Sequence, residues 1–169
     1  MNMRSVLLVS VIALALPGCA WISYDASQAP VARDLMEGCH ATTIETALFH
    51  YNPDKSKNRP NGATYLIQSG FPTNEWTVTD YADDWDEILT LPPGTEFRVT
   101  RVYDQAWGKQ GRYWLLYARL ENSDLFDREF IVPSGNFTET GQIWVRPVSP
   151  DENGTPLRLQ ENFVTVCPE

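Results

Sequence analysis

The chain has 169 residues, 43% of them hydrophobic, and 13 Lys and Arg against 22 Asp and Glu give a formal net charge of -9. That is one domain's worth of polypeptide, long enough to bury a core of its own. So acidic a surface repels nucleic acid and anionic headgroups and attracts cationic partners, so nucleic-acid binding is not expected.

Residues 1–18 read as a leader. Arg4 is its only charge. The uncharged run Ser5–Leu16 (SVLLVSVIALAL) has the length of a secretory h-region, short of the ~20 residues a membrane span needs. The leader ends in Leu16-Pro17-Gly18-Cys19. This stretch resembles the lipobox of bacterial lipoproteins, with Leu three before the cysteine and small Gly directly before it. Pro17 departs from the usual middle occupant. The resemblance covers the leader and Cys19 only. It implies cleavage before Cys19 by signal peptidase II, a diacylglyceryl group on the Cys19 sulfur and usually an N-acyl chain such as palmitate. Ala20 follows where Asp would signal inner-membrane retention, which implies the outer membrane of a Gram-negative host, facing the periplasm. Two or more acyl chains, at ~0.8 kcal/mol per buried CH₂, anchor stably. An ordinary secreted protein or an uncleaved N-terminal anchor are the alternatives.

Removing Arg4 takes the charge from -9 to -10, so lipid and not the protein surface is expected to hold the membrane. Residues 19–30 (CAWISYDASQAP) read as a tether, with Trp21, Ile22 and Tyr24 suited to the headgroup region. Residues 31–169 read as a single β-rich domain. With Cys19 taken by lipid, Cys39 and Cys167 remain as an even pair. An oxidising periplasm is expected to join them, the alternative being two buried thiols. Closing so long a loop contributes roughly 4–5 kcal/mol in the chain-entropy treatment. No CxxC or Cys/His cluster marks either as a nucleophile or zinc ligand.

Val31–Glu37 is expected to form a short helical turn stopped by Gly38. His40–Tyr51 fits either period. Asn52–Gly62 is a Pro-, Asn- and Lys-bearing loop, Thr64–Gln68 a strand, and Trp76–Val78 a short strand. Asp80–Leu89 is the best helix candidate. Tyr81, Trp85, Ile88 and Leu89 make one stripe, Thr79 or Asp80 can cap it, and Asp83 and Asp84 suit the first turn. The turn Leu91-Pro92-Pro93-Gly94-Thr95 leads into Glu96–Tyr103. Asp104–Gly111 reads as a loop, and Arg112–Leu120 as a central strand, apolar on both faces. Arg128–Val132 completes an antiparallel meander. Gln142–Val148, an edge strand by virtue of Pro147, and Leu157–Val166 follow. The fold class is mainly β, a small antiparallel barrel or sandwich with one or two short helices. The proline-glycine turn and meander, Leu91 to Val132, resemble bacterial SH3-like barrel domains.

No motif marks a catalytic centre. Gly-x-Ser-x-Gly is missing, and His40 and His50 lack a marked partner and read as surface or capping residues. The acidic run Asp80, Asp83, Asp84, Asp86 and Glu87 lacks a calcium-loop glycine and reads as the solvated face of the helix. Tyr103, Tyr113, Trp114 and Tyr117 read as core. Trp107, in the segment DQAWGKQG, is the candidate partner contact. No phosphate loop, dinucleotide fingerprint or haem motif occurs, and no cofactor or metal is expected. The leading expectation is a non-enzymatic, lipid-anchored binding or structural domain directed at an envelope protein or peptidoglycan. An inhibitor of a cationic hydrolase such as lysozyme, favoured by charge, and an envelope glycan or peptide hydrolase are the alternatives.

Overall fold

The computed structural model describes residues 21–51, 63–69, 85–107, 111–134, 142–152 and 154–168. The described part is mainly β with one short α-helix. Among the described residues no helix is long and apolar enough to cross a membrane.

The segment expected to be a free tether is a strand from its third residue. β1 (Trp21–Asp25) pairs antiparallel with the C-terminal half of β6 (Glu96–Trp107), Trp21 opposite Trp107 and Asp25 opposite Tyr103. The ladder continues as the Ala26 N–H donates to the Val102 carbonyl at 2.8 Å. The Val102 N–H in turn donates to Ser27 Oγ at 3.0 Å. A segment that reads as a linker becomes a strand when a neighbouring edge offers it backbone partners.

A 3-10 turn at Pro30–Ala32 runs into α1 (Arg33–Glu37), which ends at Gly38 as expected. Pro30 suits the entry, where its missing N–H has no partner to lose. His40–Tyr51, ambiguous in period, divides into β2 (His40–Thr42) and β3 (Thr46–Tyr51). β4 (Thr64–Gln68) has its expected bounds.

The helix expected over Asp80–Leu89 is contradicted where it can be seen. Trp85–Leu91 is a strand, β5, antiparallel to β3. Residues 80–84 lie outside the described residues, as do the expected loop at 52–62 and strand at 76–78. Leu91 is buried and Leu89 half-buried, while Ile88 is 44% exposed. The apolar stripe fitted a helix because a bulge opposite Leu48 and Phe49 blurs strict alternation. Ladder bonds to β3 outweigh the local preference of so short a helix, which is marginal alone. Asp86 and Glu87 therefore belong to a strand, and Glu87 accepts from Thr90 Oγ1 at 2.7 Å.

The expected meander is present. β6, β7 (Arg112–Leu120) and β8 (Phe130–Val132) pair antiparallel, with β7 in the centre. β7 buries Trp114, Leu116, Ala118 and Leu120, and its alternate residues Tyr113, Leu115 and Tyr117 are half-buried on the opposite face. β6 runs four residues past its expected end, because β7 on one side and β1 on the other satisfy its backbone.

The main sheet has the order β11–β2–β6–β7–β8–β4–β3–β5, where β11 is Val164–Val166. It is not closed into a barrel, and it is mixed, since β4 and β8 pair in parallel. The sheet stays open for a topological reason. β5 reaches β6 through a four-residue turn, Pro92–Thr95, in which Gly94 adopts φ 84°. The edge of β6 that would receive β5 is already taken by β2 at His40 and Ala41 and by β1 further along. The Gly94 N–H donates to the Thr42 carbonyl at 2.7 Å instead. The core is built by Leu48, Leu66, Leu91, Phe97, Leu116 and Phe130, all nearly fully buried.

The expected strand Gln142–Val148 is reduced to β9 (Val145–Arg146), ended by Pro147. Leu157–Val166 is likewise two pieces, β10 (Arg158–Leu159) and β11, with a turn between. β9 and β10 form a separate ribbon. Trp144, with no exposed surface, stacks on Phe163 at 5.1 Å and closes the core beneath that ribbon.

Candidate functional site

The ribbon and the loop that joins its strands enclose a cleft of about 500 Å³. Its walls are Arg146, Pro147, Val148, Glu152, Thr155, Pro156 and Arg158. Antiparallel pairing sets Val145 opposite Leu159 and Arg146 opposite Arg158. Because alternate residues of a strand face opposite sides, one pair serves the core and the other serves the cleft. Val145 is fully buried and Leu159 packs against the core, whereas both arginines are exposed.

The loop is held in place. Asp151 accepts from Arg112 of β7 at 3.0 Å and from Ser149 Oγ at 3.2 Å. The Asp151 N–H donates to Ser149 Oγ at 3.2 Å, and the Thr155 N–H donates to the Glu152 carbonyl at 3.3 Å. The Leu157 N–H donates to the Val31 carbonyl at 2.8 Å, which ties β10 to the helical turn.

Two arginines also face each other across β6 and β7, Arg98 and Arg119. There Arg98 pairs with Glu121, and Arg119 has Glu129 at 3.9 Å. Arg101 pairs with Glu129 and lies 4.3 Å over the Tyr117 ring, and Arg112 holds Asp104 and Asp151. Arg146 and Arg158 have no such compensation: among the described residues no carboxylate pairs with either. Like charges directly opposite destabilise a ladder, so the pair is retained at a cost.

None of the residues singled out from the sequence lines this cleft. Cys19 lies outside the described residues. Cys39 and Cys167 follow directly on the register that pairs His40 with Val166, so their Cα atoms are 5.3 Å apart and their sulfurs are at disulfide distance. The Glu96 carboxylate lies within 4.8 Å of both sulfurs. Trp107, expected in a loop, is the last residue of β6 and the cross-strand partner of Trp21. His40 is buried and not a surface residue. Its Nε2 meets the Leu35 carbonyl at 3.0 Å, a helix-end group, so capping is its role. Burial pushes its pKa down, partly offset by that hydrogen bond, with the nearby Arg98 charge lowering it further. His50 Nδ1 meets Thr64 Oγ1 at 3.2 Å across β3 and β4. Burial raises the pKa of Tyr113 and Tyr117, and Tyr113 donates to Gln105 Oε1 at 2.9 Å.

Arg146 and Arg158 were legible in principle. They lie six residues either side of Glu152, so a hairpin that turns there sets them opposite. Two separate longer strands conceal that symmetry. No family model, no curated protein and no solved structure matches the chain.

Proposed function

We propose that this chain is a lipid-anchored protein of the bacterial envelope that acts by binding, held at the outer membrane by acyl chains on Cys19 and directed toward an envelope protein or peptidoglycan. The observation that carries this reading is the position of β1. Its first residue, Trp21, is two places after Cys19 and is already laddered onto β6. Acyl chains on Cys19 would hold the sheet against the bilayer with no spacer. The end of the β1–β6 ladder where position 21 is opposite position 107 would then lie nearest the membrane. Cysteines at disulfide distance suit an oxidising compartment.

Intact mass of the membrane-extracted protein is expected to equal residues 19–169 plus a diacylglyceryl group and an N-acyl chain. A mass that includes residues 1–18, or one of bare peptide, overturns the anchoring. Envelope extract passed over the immobilised protein is expected to leave an envelope protein or muropeptides bound. Retention of neither, together with turnover of a glycan or peptide substrate, gives the hydrolase in its place.

A further inference from the structure

We propose that the cleft between β9, β10 and their joining loop is an anion site that takes a carboxylate- or phosphate-bearing ligand across Arg146 and Arg158. This deepens the binding half of the reading above and stands whether or not Cys19 carries lipid.

The first ground is charge. In a chain of net charge -9, two arginines are set opposite each other, and among the described residues no carboxylate forms an ion pair with either. The other facing pair, Arg98 and Arg119, shows how this fold neutralises such a contact, with Glu121 and Glu129. At the cleft the neutralising group is not supplied by the described residues. A bound anion would supply it, and planar guanidinium forks match the paired oxygens of carboxylate and phosphate.

The second ground is shape. The two arginines stand on one wall of a concave space and not on a flat strand, with the Thr155 residue on the lining to offer a hydroxyl. The wall is organised beforehand: Asp151 pins the loop to Arg112 and Ser149, and Pro147 and Pro156 limit its backbone. An anion entering would order the two arginine side chains but little of the described loop, whose ordering would otherwise cost binding free energy. Glu152 lines the same space without pairing with either arginine. It disfavours ligands of high negative charge and leaves a carboxylate for an amine, so a ligand with one acidic group beside an amine fits better than a polyanion.

The test uses the full chain purified in non-ionic detergent, titrated with inorganic phosphate and separately with glutarate, at low and at physiological salt. Saturable binding of at least one is expected. Binding of phosphate alone indicates a phosphorylated glycan or lipid headgroup as the natural source, and binding of glutarate alone indicates a peptide carboxylate. Arg146→Gln and Arg158→Gln are each expected to weaken binding roughly tenfold or more, as loss of one charge-assisted hydrogen-bonding partner implies. Arg98→Gln is expected to leave it unchanged. On the unaltered chain, the bound anion is expected to protect Arg146 and Arg158 from phenylglyoxal, read by peptide mass, and to leave Arg98 reactive. The proposal is overturned if neither anion binds saturably, if Arg98→Gln weakens binding as much as the cleft variants do, or if no protection is seen at saturation. The mass of the anchor is unaffected by any of these results, so the two readings fail separately.

Discussion

Thr46 is fully buried at the start of β3, and among the described residues its hydroxyl has no hydrogen-bond partner. A buried donor left unpaired costs about 1–3 kcal/mol. Thr46→Val keeps the shape and the strand preference and removes the orphan. It is expected to raise stability by about 1 kcal/mol, measured by urea unfolding. His40 gives the opposite kind of lesson, since its buried Nε2 is partnered. Its folded pKa is lowered, so the folded state resists the proton that the unfolded state accepts. Stability is therefore full above about pH 6.5 and falls as pH drops below it, by up to ~1.4 kcal/mol per pH unit for one proton. His40→Gln keeps a donor toward the Leu35 carbonyl and does not titrate. Unfolding followed from pH 8 to pH 5 is expected to show a shallower loss in that variant; equal slopes assign the loss to other groups.

At the scale of elements, β1 and the β11–β2 pair bring sequence-distant residues to β6 or close beside it. The Ala26→Pro substitution deletes the N–H that donates to the Val102 carbonyl. It is expected to cost roughly 1–3 kcal/mol, and hydrogen exchange is expected to show amides of β1 losing protection while those of β7 keep it. Loss confined to neither strand contradicts the docking of β1. Beside the cysteine pair, the Glu96 carboxylate sets negative charge near both sulfurs. It repels an incoming thiolate and disfavours the thiolate that must leave. Glu96→Gln is expected to speed reduction by dithiothreitol severalfold, followed by thiol trapping and mass. No change in rate removes Glu96 from that role.

Across the whole molecule, the cleft shows local stability exchanged for recognition. Two opposed arginines weaken the β9–β10 ribbon when no ligand is present. Arg158→Gln is thus expected to raise the unfolding free energy of the ligand-free chain by roughly 0.2–1 kcal/mol while it loses the anion. A ligand present at 100 times its Kd is expected to stabilise the unaltered chain by ~2.7 kcal/mol and the variant by less. Thermal unfolding with and without glutarate or phosphate measures both. A variant less stable than the parent contradicts the idea of uncompensated repulsion.

Local pattern alone was enough for the mainly-β class, for α1 and its stop at Gly38, for β4 and for the β6–β7–β8 meander. In these, alternation or a terminating glycine is written into consecutive residues, and neighbours in sequence are neighbours in space. Cys39 and Cys167 lie at disulfide distance, the pairing expected once Cys19 is set aside for lipid. The fate of residues 21–25 and 85–91 was decided elsewhere, by the unpaired edges of β6 and β3, because a strand is stabilised by a partner that its own sequence does not contain. The same dependence explains why the sheet stops short of a barrel, since occupation of the β6 edge by β1 and β2 is a property of the assembled sheet. The Arg146–Arg158 cleft arose in that way as well: two cations twelve residues apart become one site only when the turn between them folds and fixes the register.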